Sequence, residues 1–192
     1  PRGTIQSTTP TEVQVAVTTM GGDGTLQTIY EPLTGIVKIA TGAGHSLALA
    51  ADGTLYAWGD NSYGQRGTEN SLVGATSETV ATRIQVKKVV GRNAENYLEN
   101  VVVISAGGDA SAAVQANGTL WTWGQNNVGQ LGMNSMLPQY APNQVWKGDY
   151  KTSDNYIQNV SNVSVGFDHM VATVTVPNTV GGGQQQENYG WG

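Results

Sequence analysis

The chain contains no cysteine. Disulfide frameworks, thiol nucleophiles and cysteine-bound zinc are therefore excluded. Charge is also scarce. Charged residues make up 12% of the 192 positions, about half the usual share. Only 9 are Lys or Arg, against 14 Asp or Glu, for a formal net charge of −5. A nucleic-acid binder needs clustered cations to neutralise phosphates. The densest basic group here, Arg83, Lys87, Lys88 and Arg92, reads as a solvated strand edge, so no nucleic-acid partner is expected. No apolar run approaches the ~20 residues of a membrane span, so no membrane insertion is expected. No leader pattern opens the chain, which starts Pro1-Arg2-Gly3 and reads as a part of something longer. No window shows sustained helical periodicity.

What is present is glycine, 26 residues of it, alongside abundant Thr, Ser, Asn and Gln, and a sequence that repeats itself. Residues 39–67, IATGAGHSLALAADGTLYAWGDNSYGQRG, align without a gap on residues 104–132, ISAGGDASAAVQANGTLWTWGQNNVGQLG. Gly42 falls on Gly107, Trp58 on Trp123, Asn61 on Asn126 and Gln65 on Gln130. A third copy begins at Val163, with Gly166 and His169 in the slots of Gly42 and His45. A nine-residue expansion then precedes Tyr189-Gly190-Trp191-Gly192. Shorter matches, Val13-Gln14-Val15, Ile84-Gln85-Val86 and Asn143-Gln144-Val145, lie upstream of the copies. The first linker is longer than the others, with its extra residues in Thr18–Pro32. The repeats are taken as 13–67, 84–132 and 143–192, within one domain of 1–192. Alternating short segments and the Asp52-Gly53 and Asn117-Gly118 pairs predict strands joined by two-residue hairpins. Several short strands per repeat, at a period of some 50–65 residues, predict an all-β propeller whose blades bury each other's faces.

The string Gly44-His45-Ser46-Leu47-Ala48-Leu49, followed by Asp52-Gly53, Trp58-Gly59 and Asn61-x-x-Gly64-Gln65, resembles the repeat of the regulator of chromosome condensation family. The linker residues Gln85, Tyr97, Leu98, Asn100, Val101 and Val102 resemble those of bacterial members. The resemblance covers about residues 10–192. It implies a partial propeller, about three blades of a seven-bladed ring. Three positions depart from the pattern: Ala110 stands where His is expected, Arg66 where Leu is expected, and the third hairpin is expanded.

Each chemically notable residue has a structural reading beside the functional one. His45 and His169 share one repeat slot that the second copy fills with Ala110, so blade packing explains them better than catalysis or metal binding. Trp58, Trp123 and Trp191 share another slot and are expected between blades. The Gly42, Gly107 and Gly166 slot is a turn, and no glycine run completes a nucleotide-binding loop. Trp146 and Tyr140 lie in a linker with no Trp counterpart and, with Tyr63, are candidate partner contacts. Asp109 and Asp168 share a slot where the first copy has Gly44. They could line one rim of the ring and touch a partner or a cation, although solvated loop residues are the simpler reading. Asp52 is a turn residue and Asp60 is not repeated. Asn117, Asn159 and Asn162 open glycosylation triplets, which are frequent in chains rich in Asn and Thr and usually mean nothing in a bacterial protein.

Fold does not dictate function, but a rigid ring of loops suits binding. The expectation is a protein-interaction or scaffolding module and not an enzyme, with no cofactor and no metal. It would come from a larger bacterial secreted or surface protein, located outside the cell or on its surface. A secreted inhibitor of the β-lactamase-inhibitor type, which similar repeats build, and a carbohydrate-binding module are the alternatives. Guanine nucleotide exchange, the activity the family name implies, fits the acidic composition less well. The expected partners are another protein, the remaining blades of the same propeller, or a second copy through exposed blade faces.

Overall fold

A computed structural model describes residues 10, 12–68, 78–83, 97–148, 155–179 and 181–192. Thirteen strands and no helix occur among the described residues. The first blade is β3 (Ile36–Thr41), β4 (His45–Ala50), β5 (Leu55–Gly59) and β6 (Glu78–Arg83). The second is β7 (Val101–Gly107), β8 (Ala110–Gln115), β9 (Leu120–Gly124) and β10 (Gln139–Gln144). The third holds β11 (Val160–Val165), β12 (Met170–Pro177) and β13 (Gln184–Trp191). Consecutive strands within each blade pair antiparallel. A further hairpin, β1 (Gln14–Met20) and β2 (Leu26–Pro32), extends the first sheet beyond β6, so the order there is β2-β1-β6-β5-β4-β3. The chain is thus a partial β-propeller. Blade boundaries and repeat boundaries differ in phase, since β10, the outer strand of the second blade, straddles the start of the repeat drawn at 143–192. The Ile84-Gln85-Val86 match and the basic Lys87, Lys88 and Arg92 lie outside the described residues.

The core is not within the sheets but between them. Leu47, Leu49, Leu55 and Ala57 of the first blade meet Val101, Ala113 and Trp123 of the second. Ala112, Val114 and Leu120 of the second meet Val163, Met170 and Ala172 of the third. Period-two alternation sends every other residue to each face of a blade. Small residues on one face admit large ones from the next. Burying each leucine stabilises the stack by about 1.5–3 kcal/mol.

The hairpins differ from the two-residue turns expected. Ala51-Asp52-Gly53 and Ala116-Asn117-Gly118 are three-residue loops. Gly53 N donates to Ala50 O, Gly118 N donates to Gln115 O, and φ is positive only at the glycine, 82° and 80°. A two-residue type I′ turn would need positive φ at Asp52 and Asn117 as well. Their side chains instead accept hydrogen bonds from the amides of Thr54 at 2.9 Å and Thr119 at 3.0 Å, which holds them in ordinary conformation. The expansion in the third repeat is not a loop. It lengthens the β12–β13 ladder until Pro177 faces Gln184, and the chain turns in the glycines at 181–183.

Adjacent blades meet backbone to backbone at the turns between their first and second strands. Ala43 N donates to Gly108 O at 2.7 Å. A Cβ on Gly107 would run into the carbonyls of Val165 and Gly166 on the third blade. We predict that Gly107→Ala lowers unfolding stability by about 1–3 kcal/mol, the range for forced overpacking. Gly22→Ala, whose Cβ would meet open space, should stay within about 0.5 kcal/mol. Urea denaturation of the two variants measures both, and equal midpoints would refute the close-approach reading.

Candidate functional site

After Trp58-Gly59 and after Trp123-Gly124 the chain enters an Asn-x-x-Gly-Gln loop that folds on its own side chains. Asn61 Oδ1 accepts from Arg66 N at 2.9 Å, and Asn126 Oδ1 accepts from Leu131 N at 2.9 Å. Gln65 Oε1 accepts from Tyr63 N at 2.9 Å and Gln130 Oε1 from Val128 N at 3.1 Å. Asparagine and glutamine thus satisfy amides that no strand can reach. The loops then turn one carbonyl each toward the following blade. Gln65 O accepts from Trp123 Nε1 at 2.8 Å, and Gln130 O accepts from Trp191 Nε1 at 2.8 Å. These latches tie the third strands of the second and third blades to the loop of the blade before.

The Trp slot is therefore interblade for Trp123 and Trp191, while Trp58, also expected between blades, meets no second blade. Trp123 is fully buried and Trp191 half-buried. Trp58 is also only half-buried, because it belongs to the first blade and faces away from the second. His45 reaches across the same interface. Its Nε2 lies 2.7 Å from Ser111 Oγ, which in turn donates to Gln65 O at 2.9 Å. With its own proton committed to Gln65, Ser111 accepts from His45, which assigns the imidazole proton to Nε2. Nδ1 is buried without a hydrogen-bond partner. Burial holds the imidazole pKa down at about 4, opposed in part by the Asp60 carboxylate. His169 in the same slot is exposed.

The five candidate contact residues do not form one site. Trp146 stacks on Tyr156 with ring centroids 4.7 Å apart and packs against the core between the second and third blades. Tyr140 is half-buried and lies against Gly64, where a Cβ would collide with it, so it also serves the blade contact. Tyr63, Asp109 and Asp168 share one rim, built from the loops at 60–67 and 125–138 and the turns at 42–44, 107–109 and 166–168. Gln65 Nε2 sits 3.2 Å from both Asp60 Oδ2 and Asp109 Oδ1, and so holds two carboxylates of neighbouring blades together. Asp168 is exposed, beside Phe167 at 70% exposure. Tyr63, Val128, Met136 and Leu137 are exposed on the same rim. The one cation among the described residues of these loops and turns, Arg66, is buried. Sequence reasoning missed Phe167, Met136 and Leu137. A signal existed for Phe167, the chain's only phenylalanine, which stands where the other copies have Ala43 and Gly108.

A family model described as the regulator of chromosome condensation repeat matches residues 36–65 and 101–130, and a second of the same description matches 117–173, together more than half of the chain. The human probable E3 ubiquitin-protein ligase HERC3 is 34% identical over 107 residues, 56% of this chain and 9% of its own length. The mitochondrial RCC1 domain-containing protein RUG3 of Arabidopsis thaliana is 30% identical over 142 residues, 73% of this chain and 28% of its own. The chain resembles the crystal structure of Prp20p from Saccharomyces cerevisiae at a TM-score of 0.55 and 21% identity, covering 76% of this chain and 33% of that one. Human WBSCR16 matches at a TM-score of 0.52 and 22% identity, covering 82% and 39%. The chain spans less than a third of the length of these sequence relatives.

The latch makes two measurable differences. Trp123→Ala should cost about 3–5 kcal/mol, as for a large core aromatic, while Trp58→Ala costs less than half as much. Equal losses in thermal or urea unfolding would contradict the asymmetry. The His45 pKa falls from 6.5 to about 4 on folding. Its contribution is therefore whole above pH 6.5 and is lost as pH falls toward 4, roughly 3 kcal/mol in all. His45→Ala, which copies the second blade, should flatten that part of the stability–pH curve. An unchanged slope would sink the assignment.

Proposed function

The chain belongs to the regulator of chromosome condensation repeat family, and on that premise we propose that it is a protein-binding propeller module whose contact surface is the rim of Tyr63, Asp109, Phe167 and Asp168. The observation that carries this reading is the rim's composition. Asp60, Asp109 and Asp168 lie among exposed Tyr63, Val128, Met136, Leu137 and Phe167, with no exposed Lys or Arg among its described residues. Apolar side chains left in water amid charge of one sign suit a partner that offers both apolar anchors and opposite charge. A polypeptide segment mixing Lys or Arg with Leu or Phe has that chemistry. The structural relatives support a binding role: Prp20p has binding properties to Gsp1p and histones, and yeast RCC1 (Prp20) has been crystallised with Kap60 bound. The cysteine-free, lysine-poor composition supports a place in a larger bacterial secreted or surface protein as the setting of this module.

Binding to immobilised peptide panels tests the proposal. The chain should retain Lys/Arg-Leu/Phe peptides over Asp/Glu-Leu/Phe peptides of the same length, and more weakly as salt rises. Phe167→Ala and Asp168→Lys should each weaken that binding by about tenfold, equivalent to ~1.4 kcal/mol, without moving the unfolding midpoint by more than ~0.5 kcal/mol. Equal retention of acidic and basic peptides, or rim variants that bind as the parent does, would remove this rim as the contact surface.

A further inference from the structure

The first hairpin is a displaced piece of a blade. Residues 22–26, Gly-Asp-Gly-Thr-Leu, repeat Ala51–Leu55 and Ala116–Leu120 in pattern, and they repeat the turn as well. Thr25 N donates to Asp23 Oδ1 at 3.0 Å, Gly24 N donates to Gly21 O at 2.9 Å, and Gly24 has φ 80°. This register places the cross-strand pair Met20–Leu26 in the slot of Leu49–Leu55 and Val114–Leu120. Those two pairs are buried beneath the following blade. Met20 and Leu26 are each 74% exposed. The hairpin touches the rest of its sheet through β1 alone, in parallel pairing at Val15 and Ala81.

The chain also carries the matching surface, bare at Ile39, half-covered at Tyr56 and Trp58, and buried at Ala48. The face that receives such a pair is the one turned toward the preceding blade. In the second blade it holds the row Ile104–Ala113–Trp121 and the latch residue Trp123. In the first blade the corresponding row is Ile39–Ala48–Tyr56 with Trp58. Ile39 is 73% exposed and Trp58 half-buried. Two halves of one interface type are therefore displayed by the same molecule, and its hairpin is held at the outer edge of the first blade instead of over that blade's open face.

We propose that the hairpin of one copy docks, through Met20 and Leu26, on the Ile39–Trp58 face of a second copy, and that the exchange is reciprocal about a two-fold axis. The occupant is identified by the chain itself, since its two internal interfaces show that an apolar pair in the Met20–Leu26 slot packs on a face of this kind. A reciprocal contact closes on itself and leaves neither surface open. It needs no new structure from either partner, and none of Met20, Leu26, Ile39, Ala48, Tyr56 and Trp58 is charged; the row continues beyond Tyr56 to Arg83 at the outer strand.

The absence of cysteine makes a clean test. The double variant Leu26→Cys, Ile39→Cys, oxidised under mild conditions, should yield a disulfide-linked species of twice the 20.1 kDa chain mass on non-reducing electrophoresis. Analytical ultracentrifugation of the unmodified chain should give the same doubled mass. Leu26→Asp and Ile39→Asp should each return it to one chain mass while keeping a cooperative thermal transition, because both positions are exposed. A disulfide within one chain would mean that the hairpin folds back on its own blade, and would overturn the proposal. A single-chain mass for the unmodified protein with no crosslink would overturn it equally.

Discussion

The indole-to-carbonyl bond between one blade's third strand and the preceding blade's loop is the interaction on which the architecture depends. A blade of three or four short strands has two faces and cannot bury both alone. Apolar packing between blades supplies most of the attraction, but packing is non-directional and leaves the angle between neighbouring sheets free. The bond from Trp123 to Gln65, repeated from Trp191 to Gln130, fixes that angle. It joins a large rigid side chain to a carbonyl whose loop is pinned from within by Asn61 and Gln65, or by Asn126 and Gln130. Truncating either indole would leave the core contact incomplete and a buried carbonyl one partner short. The recurrence of Trp-Gly and Asn-x-x-Gly-Gln in the sequence is thus the recurrence of the two ends of one latch.

The repeat made the architecture legible. Blades, interblade tryptophans and the structural standing of His45 were all readable from equivalent positions, because a repeat reports the contacts that neighbours share. The same reasoning failed where neighbours are missing. Trp58 has the sequence of a buried residue and the surroundings of a half-exposed one. Turn type was misread because Asp-Gly and Asn-Gly suit two turns alike, and only the side-chain bond to Thr54 or Thr119 separates them. The first hairpin was visible only as surplus length, since Gly22–Leu26 repeats five residues while its flanks do not. The rim was half legible. Its acids were found because Asp109 and Asp168 share a slot, whereas Phe167 was lost because a repeat pattern favours what recurs over what does not.

The blade faces change in polarity from the first blade to the third. On the face turned toward the following blade, the row Lys38–Leu49–Leu55 becomes Val103–Val114–Leu120 and then Asn162–Thr173–Asn188. The first two rows are buried in part or whole under a neighbour, with Lys38 reaching over to donate to Val102 O at 2.7 Å. In the third row, Thr173 Oγ1 bonds Asn188 Oδ1 at 2.9 Å, so the polar groups satisfy each other along the sheet. Replacing two leucines by threonine and asparagine removes several kcal/mol of potential burial and adds groups that are costly to bury unpaired. That face is therefore more polar than its two counterparts, with Val171 as its exposed apolar residue.

Stability and recognition draw on different parts of the same loops. The buried half of each Asn-x-x-Gly-Gln loop, Asn61 and Gln65 or Asn126 and Gln130, is consumed by the latch, and these side chains are not free to adapt to a partner. The exposed half, Ser62-Tyr63 or Asn127-Val128, varies between copies without cost because it carries no interblade bond. Gln65 belongs to both halves. Its carbonyl holds Trp123 and Ser111, while its amide stands between Asp60 and Asp109. Two carboxylates on adjacent blades repel each other at close range, and an amide donor shared between them offsets part of that repulsion. The negative rim is therefore a product of the stacking. It exists because the latch brings Asp109 of the second blade up to the loop of the first, and any change that loosens the blades also disperses the charge that a basic partner would meet.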